Sequence, residues 1–460
     1  MHLIYQRSKS VLQLIVRIVG WICFFLFLFL LIMGGDNIDI ISILVIVSTI
    51  SQILILLFNR SVYNSGMLMI FYAYTVLVHN GFVIANFIDR SYSTFQSSLS
   101  MLFLCNPYYP KAIVIANIVI WFFVFSAEIS TGKLYEYNKS LGYQIKTDEG
   151  NKWADIVGVL LLLYGTVYLG YLIFSNGLWL AGYVSALSIT ENLPIYSHIV
   201  VITSLSIAII MAVGTRKGVR IGLILFAINS ILHFSIGNRG EVMYAAVICF
   251  ALYSIRYKNI KLKHVIVAGI VAVILIPLVR ISREMKLDIY TLNPFTSFLD
   301  VLCEEGLEIS PFTYITQYLG DGNGHVWGMT YISNFQDFLM RRIGSEGTLL
   351  QEQYVIKSIM PYDGMGFTMI AELYYNFGII GAGVVYMLFA QIIKKWDMKI
   401  YLNELCDAKK MFVAMLMVEM INLTRNDSST LPLYLSWSLI LLLLCRFFGK
   451  RKTTEIAEEM

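Results

Sequence analysis

Several arginines sit where a chain this apolar would be expected to avoid them. Arg239 lies in Gly237-Asn238-Arg239-Gly240-Glu241, a short turn between two apolar runs. Arg280 and Arg283 close another apolar run, Arg341 and Arg342 fall in a long polar stretch, and Arg425 lies in Thr424-Arg425-Asn426-Asp427. A guanidinium stays charged at any relevant pH, and its planar fork of donors matches phosphate oxygens. Several of them meeting at one membrane surface suit a lipid diphosphate. The competing reading is that each one reaches lipid headgroups or pairs with a neighbouring acid such as Glu241, Glu284 or Asp427. For the set as a whole anion binding is favoured. Arg239 and Arg280 are then the central candidates, with Arg283, Arg342, Arg425 and Glu241 beside them as substrate-binding residues.

Carboxylates supply the second constellation. Pro361-Tyr362-Asp363-Gly364-Met365-Gly366-Phe367 leads into Ala371-Glu372-Leu373-Tyr374-Tyr375-Asn376-Phe377-Gly378, where the chain re-enters an apolar run. A carboxylate at the edge of a membrane span is partly desolvated, which raises its basicity and suits a general base. Asp363 or Glu372 fits that duty. Equally, Asp363 could start a helix, and Glu372 could pair with one of the arginines. His325, in Gly324-His325-Val326-Trp327, is a third and lower-ranked base. Tyr331, Asn376 and His325 itself complete the substrate-binding candidates. The aromatic residues of the polar stretch could stack on sugar faces, but most are read as its own core.

The elements that must position these residues are membrane spans. Hydrophobic residues make up 58% of the 460 and charged residues 14%, against roughly a quarter charged in a soluble chain. The mean hydropathy of +0.70 agrees. A spanning helix needs roughly 20 apolar residues. Runs near that length occur at 11–33, 38–58, 65–88, 112–130, 154–175, 196–213, 219–236, 264–280, 366–393 and 430–448, with shorter runs at 241–255 and 411–424. Together they make about twelve spans. With the N-terminus inside, most Lys and Arg fall in cytoplasmic loops, as membrane proteins prefer. Dropping either short run would put every later loop on the wrong side. The expected fold is therefore all-α and polytopic, in a bacterial cytoplasmic membrane, with both termini cytoplasmic. Residues 1–280 hold the first nine spans, 281–365 form one large extracytoplasmic loop, and 366–460 hold the last three. Within the loop, helical periodicity shows at Phe295, Phe298, Leu299 and Leu302 and again at Ile332, Phe335, Leu339 and Arg342, with a Gly-rich turn between them. The first run, Val11 to Met33, is too long for a signal-peptide core.

Other functional classes lack their marks. There is no phosphate-binding P-loop, no dinucleotide glycine pattern and no HExxH. The six cysteines form no CxxC pair, which argues against a zinc site or disulfide framework, so no metal and no cofactor is expected. A net charge of +4 gives no reason to expect a nucleic-acid partner. A coupled transporter would place ionisable groups near the bilayer midplane and show repeated halves, whereas these charges gather at one rim.

The run Gly237 to Glu241, the arginines Arg280 and Arg283, the large loop, and the segment Glu372 to Gly381 together resemble the Wzy family of O-antigen or repeat-unit polymerases. The segment Asp363 to Gly381 also resembles the re-entry segment of O-antigen ligases. There a histidine stands nine residues before the glutamate, where this sequence has Asp363. The resemblance implies a metal-independent glycosyltransferase similar to the membrane enzymes of the GT-C type. Its donor would be a growing glycan on undecaprenyl diphosphate and its acceptor a single lipid-linked repeat unit. Membrane lipids would surround it, and a chain-length regulator protein is a candidate partner. The alternatives from other classes are a lipid-linked oligosaccharide flippase and an O-antigen ligase.

Overall fold

The computed structural model describes residues 2–59, 66–91, 103–129, 150–179, 183–190, 193–238, 240–257, 294–342 and 367–458. Among these, every regular element is helical: α1 (His2–Met33), α2 (Ile38–Phe58), α3 (Met67–Ile88), α4 (Tyr109–Glu128), α5 (Lys152–Ser175), α6 (Tyr183–Thr190), α7 (Pro194–Val213), α8 (Arg216–Ser235), α9 (Gly240–Arg256), α10 (Pro294–Gly306), α11 (Ile309–Gly320), α12 (Met329–Arg342), α13 (Met369–Tyr401), α14 (Asp407–Leu423) and α15 (Leu431–Glu458). In lipid each backbone N–H and C=O must find a partner within the protein, and a helix supplies that along its own length. Polar side chains mark the starts. Asn37 caps α2, Asn151 caps α5, Thr215 caps α8 and Thr368 caps α13, each accepting from backbone N–H groups of the first turn.

Nine of the described helices are long and apolar enough to cross a membrane. Two more, α9 and α14, have 17 residues each, about 25 Å of helix. They correspond to the two short runs in the sequence. The run at 264–280 lies outside the described residues. The protein is thus an all-α multi-pass membrane protein.

Hydrogen bonds sort the helix ends into two sets. At one end, Asn59 donates to Ala127 O, Lys394 donates to Ala127 O and Ile129 O, Asp397 accepts from Met67 N and Leu68 N, and Arg256 donates to Met211 O. At the other end lie α10, α11 and α12. Asn106, just before α4, donates to Gln317 of α11 at 2.6 Å, and Tyr108 donates to Asp321 at 3.3 Å. Helix α10 lies directly on α3. A Cβ on Gly81 would run into the carbonyl oxygen of Leu302, and one on Gly306 into the backbone nitrogen of Phe82, so two glycines let these backbones touch. The segments expected to be helical around 295–302 and 332–342 are α10 and α12. Helix α11, between them, was not foreseen.

The bundle core carries polar groups as well as apolar ones. Asn80 and Asn117 exchange amide hydrogen bonds at 3.1 and 3.0 Å, and Trp121 donates to Ser48 at 2.9 Å. Such interhelical bonds replace the missing hydrophobic drive between helices in lipid. The perimeter is apolar, with Ile15, Phe25, Val167, Ile224 and Leu443 all exposed.

Candidate functional site

Helix α13 is broken. Gly378 has φ 70° and ψ −175°, a conformation essentially restricted to glycine. Beyond it, Ile380, Val384 and Leu388 are exposed, as residues of a lipid-facing span would be. Ile379 to Tyr401 forms the longer part of the helix, about 35 Å at 1.5 Å per residue. Before the break, every residue from Met369 to Asn376 is buried. This first segment begins beside mid-α3, where Thr368 meets His79 Nε2 at 3.1 Å. It is a short helix enclosed by protein.

Glu372 is the centre of that enclosed segment. Its side chain accepts from Thr330 Oγ1 at 2.8 Å, from Ser428 Oγ at 2.6 Å and from Ser428 N at 3.0 Å. Both carboxylate oxygens are therefore engaged, and the residue is only 2% exposed. Thr330 comes from α12, Ser428 from the 3₁₀ turn Ser428–Thr430 that precedes α15. Asn334 of α12 donates to Ser428 Oγ at 2.8 Å. The other end of the turn is held in the same way, Glu419 of α14 accepting from Thr430 Oγ1 at 2.8 Å and from Asn422 at 3.0 Å. Two buried carboxylates thus grip one turn.

Asn376, one helical turn after Glu372, reaches the loop. It donates to Thr330 Oγ1 at 2.7 Å and to Glu372 O at 2.8 Å, and its Oδ1 accepts from Gly328 N at 2.8 Å. Its carbonyl accepts from Trp327 N at 3.0 Å. His325 places Nδ1 3.2 Å from Tyr375 O. Its Nε2 lies 3.2 Å from where a Cβ on Gly378 would stand, so the imidazole fills the notch at the helix break. Tyr331 stacks on Phe377 at 6.4 Å between centroids. Burial, and after it the charge of Glu372, pushes the Tyr331 phenol above its ordinary range.

Arg425 lies elsewhere on the same end. It donates to Glu308 Oε1 at 2.9 Å and to Glu305 Oε1 and Oε2 at 3.2 and 3.1 Å, tying the turn after α14 to α10 and the residue preceding α11. Burial works against its charge, but the two carboxylates outweigh that and hold its pKa above the usual arginine value. Burial raises Glu308 in turn, with Arg425 opposing. Arg342 is exposed at the end of α12, its guanidinium 4.4 Å from the centroid of Phe338.

The structure thus unites Glu372, Asn376, His325 and Tyr331 and sets Arg425 in its own ion cluster. Asp363, Arg239, Arg280 and Arg283 lie outside the described residues, as does the side chain of Glu241. Thr330, Ser428, Glu305 and Glu308 were missed by sequence reasoning. Their types are ordinary, and no spacing links them to Glu372 or Arg425. Among the described residues no group of three or more His, Cys, Asp or Glu is arranged to hold a metal ion.

Residues 19–454 match the family described as O-antigen polysaccharide polymerase Wzy. Protein CapE of Staphylococcus aureus is 24% identical over 343 residues, covering 73% of this chain and 75% of that protein. No solved structure matches the chain.

Proposed function

The chain belongs to the Wzy family of O-antigen polysaccharide polymerases, and we propose that it joins undecaprenyl-diphosphate-linked repeat units at the non-cytoplasmic face of a bacterial cytoplasmic membrane. The observation that supports this most is where the candidate site lies. The Glu372 junction, the Arg425 cluster and all three loop helices share one end of the bundle, opposite the end where α1 and α2 are tied by the bond from Gln13 to Phe58 O. The proposed topology has twelve spans: the nine candidates, α9, α14, and 264–280. Both termini are then cytoplasmic and the site faces outward. Nucleotide sugars are absent there, so an activated donor must already carry a lipid leaving group.

In the proposed reaction an acceptor hydroxyl oxygen attacks the anomeric carbon of the donor glycan. The bond from that carbon to the diphosphate oxygen breaks, and its electron pair leaves on undecaprenyl diphosphate. The hydroxyl proton passes to a carboxylate. Glu372 has both oxygens committed to Thr330 and Ser428, so the base role goes to Asp363 and Glu372 becomes a positioning residue. Arg239, Arg280 and Arg283 are assigned to the diphosphate, whose developing charge fixed cations stabilise without a metal. Arg342 remains a further ligand for the anionic substrate. Two carboxylates already neutralise Arg425, so its proposed task is to hold α10 and α11 to the bundle. Both substrates are anchored in one membrane, which supplies proximity.

Removing the charge at Arg239 or Arg280 tests the assignment. The variant protein is expected to stay in the membrane while the cell displays only single repeat units. Normal chain lengths would refute it. A flippase is separated by the null strain, which still displays single units outside if the protein is a polymerase and displays none if it is a flippase.

A further inference from the structure

We propose that Trp327 is a stacking platform for a sugar ring of the lipid-linked substrate, with Asp321 and Asn323 of the same turn serving the sugar's hydroxyls. The assignment rests on the function proposed above. Trp327 is 75% exposed. Its backbone is left-handed, with φ 52°, a conformation that bulky side chains rarely adopt. The surroundings impose it. Trp327 N donates to Asn376 O, and Gly328 N donates to Asn376 Oδ1. Asn376 is itself fully buried and fixed through Thr330 and the carbonyl of Glu372. Backbone strain persists only where the structure over-determines it, and it clusters at ligand sites.

The turn that leads to the tryptophan is polar and open. Gly320 to Gly324 are all exposed, and a Cβ built on Gly322 or Gly324 would meet nothing within 4 Å. Asp321 is held by Tyr108, and Asn323 donates to Tyr318 O at 2.8 Å. The His325 and Trp327 rings meet edge to face at 6.5 Å between centroids. A pyranose presents an apolar C–H face and a rim of hydroxyls. An exposed indole answers the first, and a carboxylate and an amide answer the second. Anchoring in lipid headgroups is the common use of an exposed tryptophan in a membrane protein. It requires neither a left-handed backbone nor these polar neighbours.

Two measurements on the full-length protein in nanodiscs test the proposal. Polymer made by the wild type from its lipid-linked repeat unit reads the proposed function alone. The dissociation constant of the same repeat-unit oligosaccharide, freed of its lipid and followed by saturation-transfer NMR, reads the stacking role whether or not polymer forms. Trp327→Ala is expected to weaken that binding about tenfold, and Trp327→Phe to restore most of it. The exposed side chain contributes little to the fold, and an unchanged gel-filtration profile checks this. Equal binding by wild type and Trp327→Ala, or no binding by the wild type, would overturn the stacking role. So would a variant whose KM for the lipid-linked unit rises while binding of the lipid-free oligosaccharide stays constant, since that tryptophan would be serving the lipid.

Discussion

Replacing Glu372 probes the junction most directly. Three hydrogen bonds end on its carboxylate, from two hydroxyls and one backbone N–H, all in buried surroundings. Leaving a buried donor without an acceptor costs about 1–3 kcal/mol. In Glu372→Ala the Ser428 N–H is stranded, while the hydroxyls of Thr330 and Ser428 can partly turn towards other acceptors. Together with the space vacated, the expected loss is about 3–5 kcal/mol. Glu372→Gln keeps the shape and one acceptor oxygen but turns a donor towards hydroxyls that already accept from Asn334 and Asn376, so about 1–2 kcal/mol is expected. Thermal unfolding in detergent, followed by intrinsic fluorescence, should rank wild type above Gln and Gln above Ala. Ser428→Ala shares the same bonds. The double variant should therefore lose less than the sum of the singles, by about 1–3 kcal/mol. A Glu372→Ala variant that melts like wild type, or strict additivity with Ser428→Ala, would refute the junction. Polymer assays add a second arm. A positioning residue leaves Glu372→Gln partly active, whereas a base would leave a folded protein with no activity.

Gly378→Ala should destabilise the protein by about 1–3 kcal/mol and depress polymerisation, because the backbone there suits only glycine and the new Cβ would press on His325; an unchanged melting midpoint would count against the break. Arg425→Met should cost about 3–5 kcal/mol by leaving Glu305 and Glu308 together without their cation, and adding Glu305→Gln should recover part of the loss in the same unfolding assay. Cys105 and Cys406 are the exposed thiols, the other four being buried. An impermeant maleimide applied to cells with the cytoplasmic membrane intact should label Cys105, and Cys406 only after the membrane is opened. The reverse pattern would place the candidate site in the cytoplasm. Asp363→Asn is expected to abolish polymer formation without shifting the melting midpoint, checked by the same two assays.

Much of the architecture is readable along the chain because each span satisfies its own backbone hydrogen bonds and must be apolar over its whole length. The described helices accordingly fall on the runs at 38–58, 65–88, 154–175 and 196–213 almost residue for residue. The loop helices α10 and α12 announced themselves by aromatic and aliphatic periodicity. Their amphipathic faces are written locally, in residues three and four apart. The sequence marks Glu372 as a candidate base and Asn376 as a candidate substrate-binding residue, and the structure joins the two in one hydrogen-bonded junction.

What sequence could not supply are the partners. Thr330 stands 42 positions before Glu372 and Ser428 56 positions after it, while Glu305 and Glu308 lie 120 and 117 positions from Arg425. No local pattern encodes such pairings, because they exist only once separate helices have packed and brought isolated polar groups into a common, water-poor space. The break at Gly378 belongs to the same class. A glycine inside an apolar run is compatible with an unbroken helix, and only the loop segment seated against Tyr375 and Asn376, with His325 in the notch, decides that it is not one. Sequence alone determined the solvent, most of the described helices and several of the residues worth watching. Tertiary packing decided which of them meet, since burial turns an unremarkable threonine or serine into the required donor for a carboxylate that has no water.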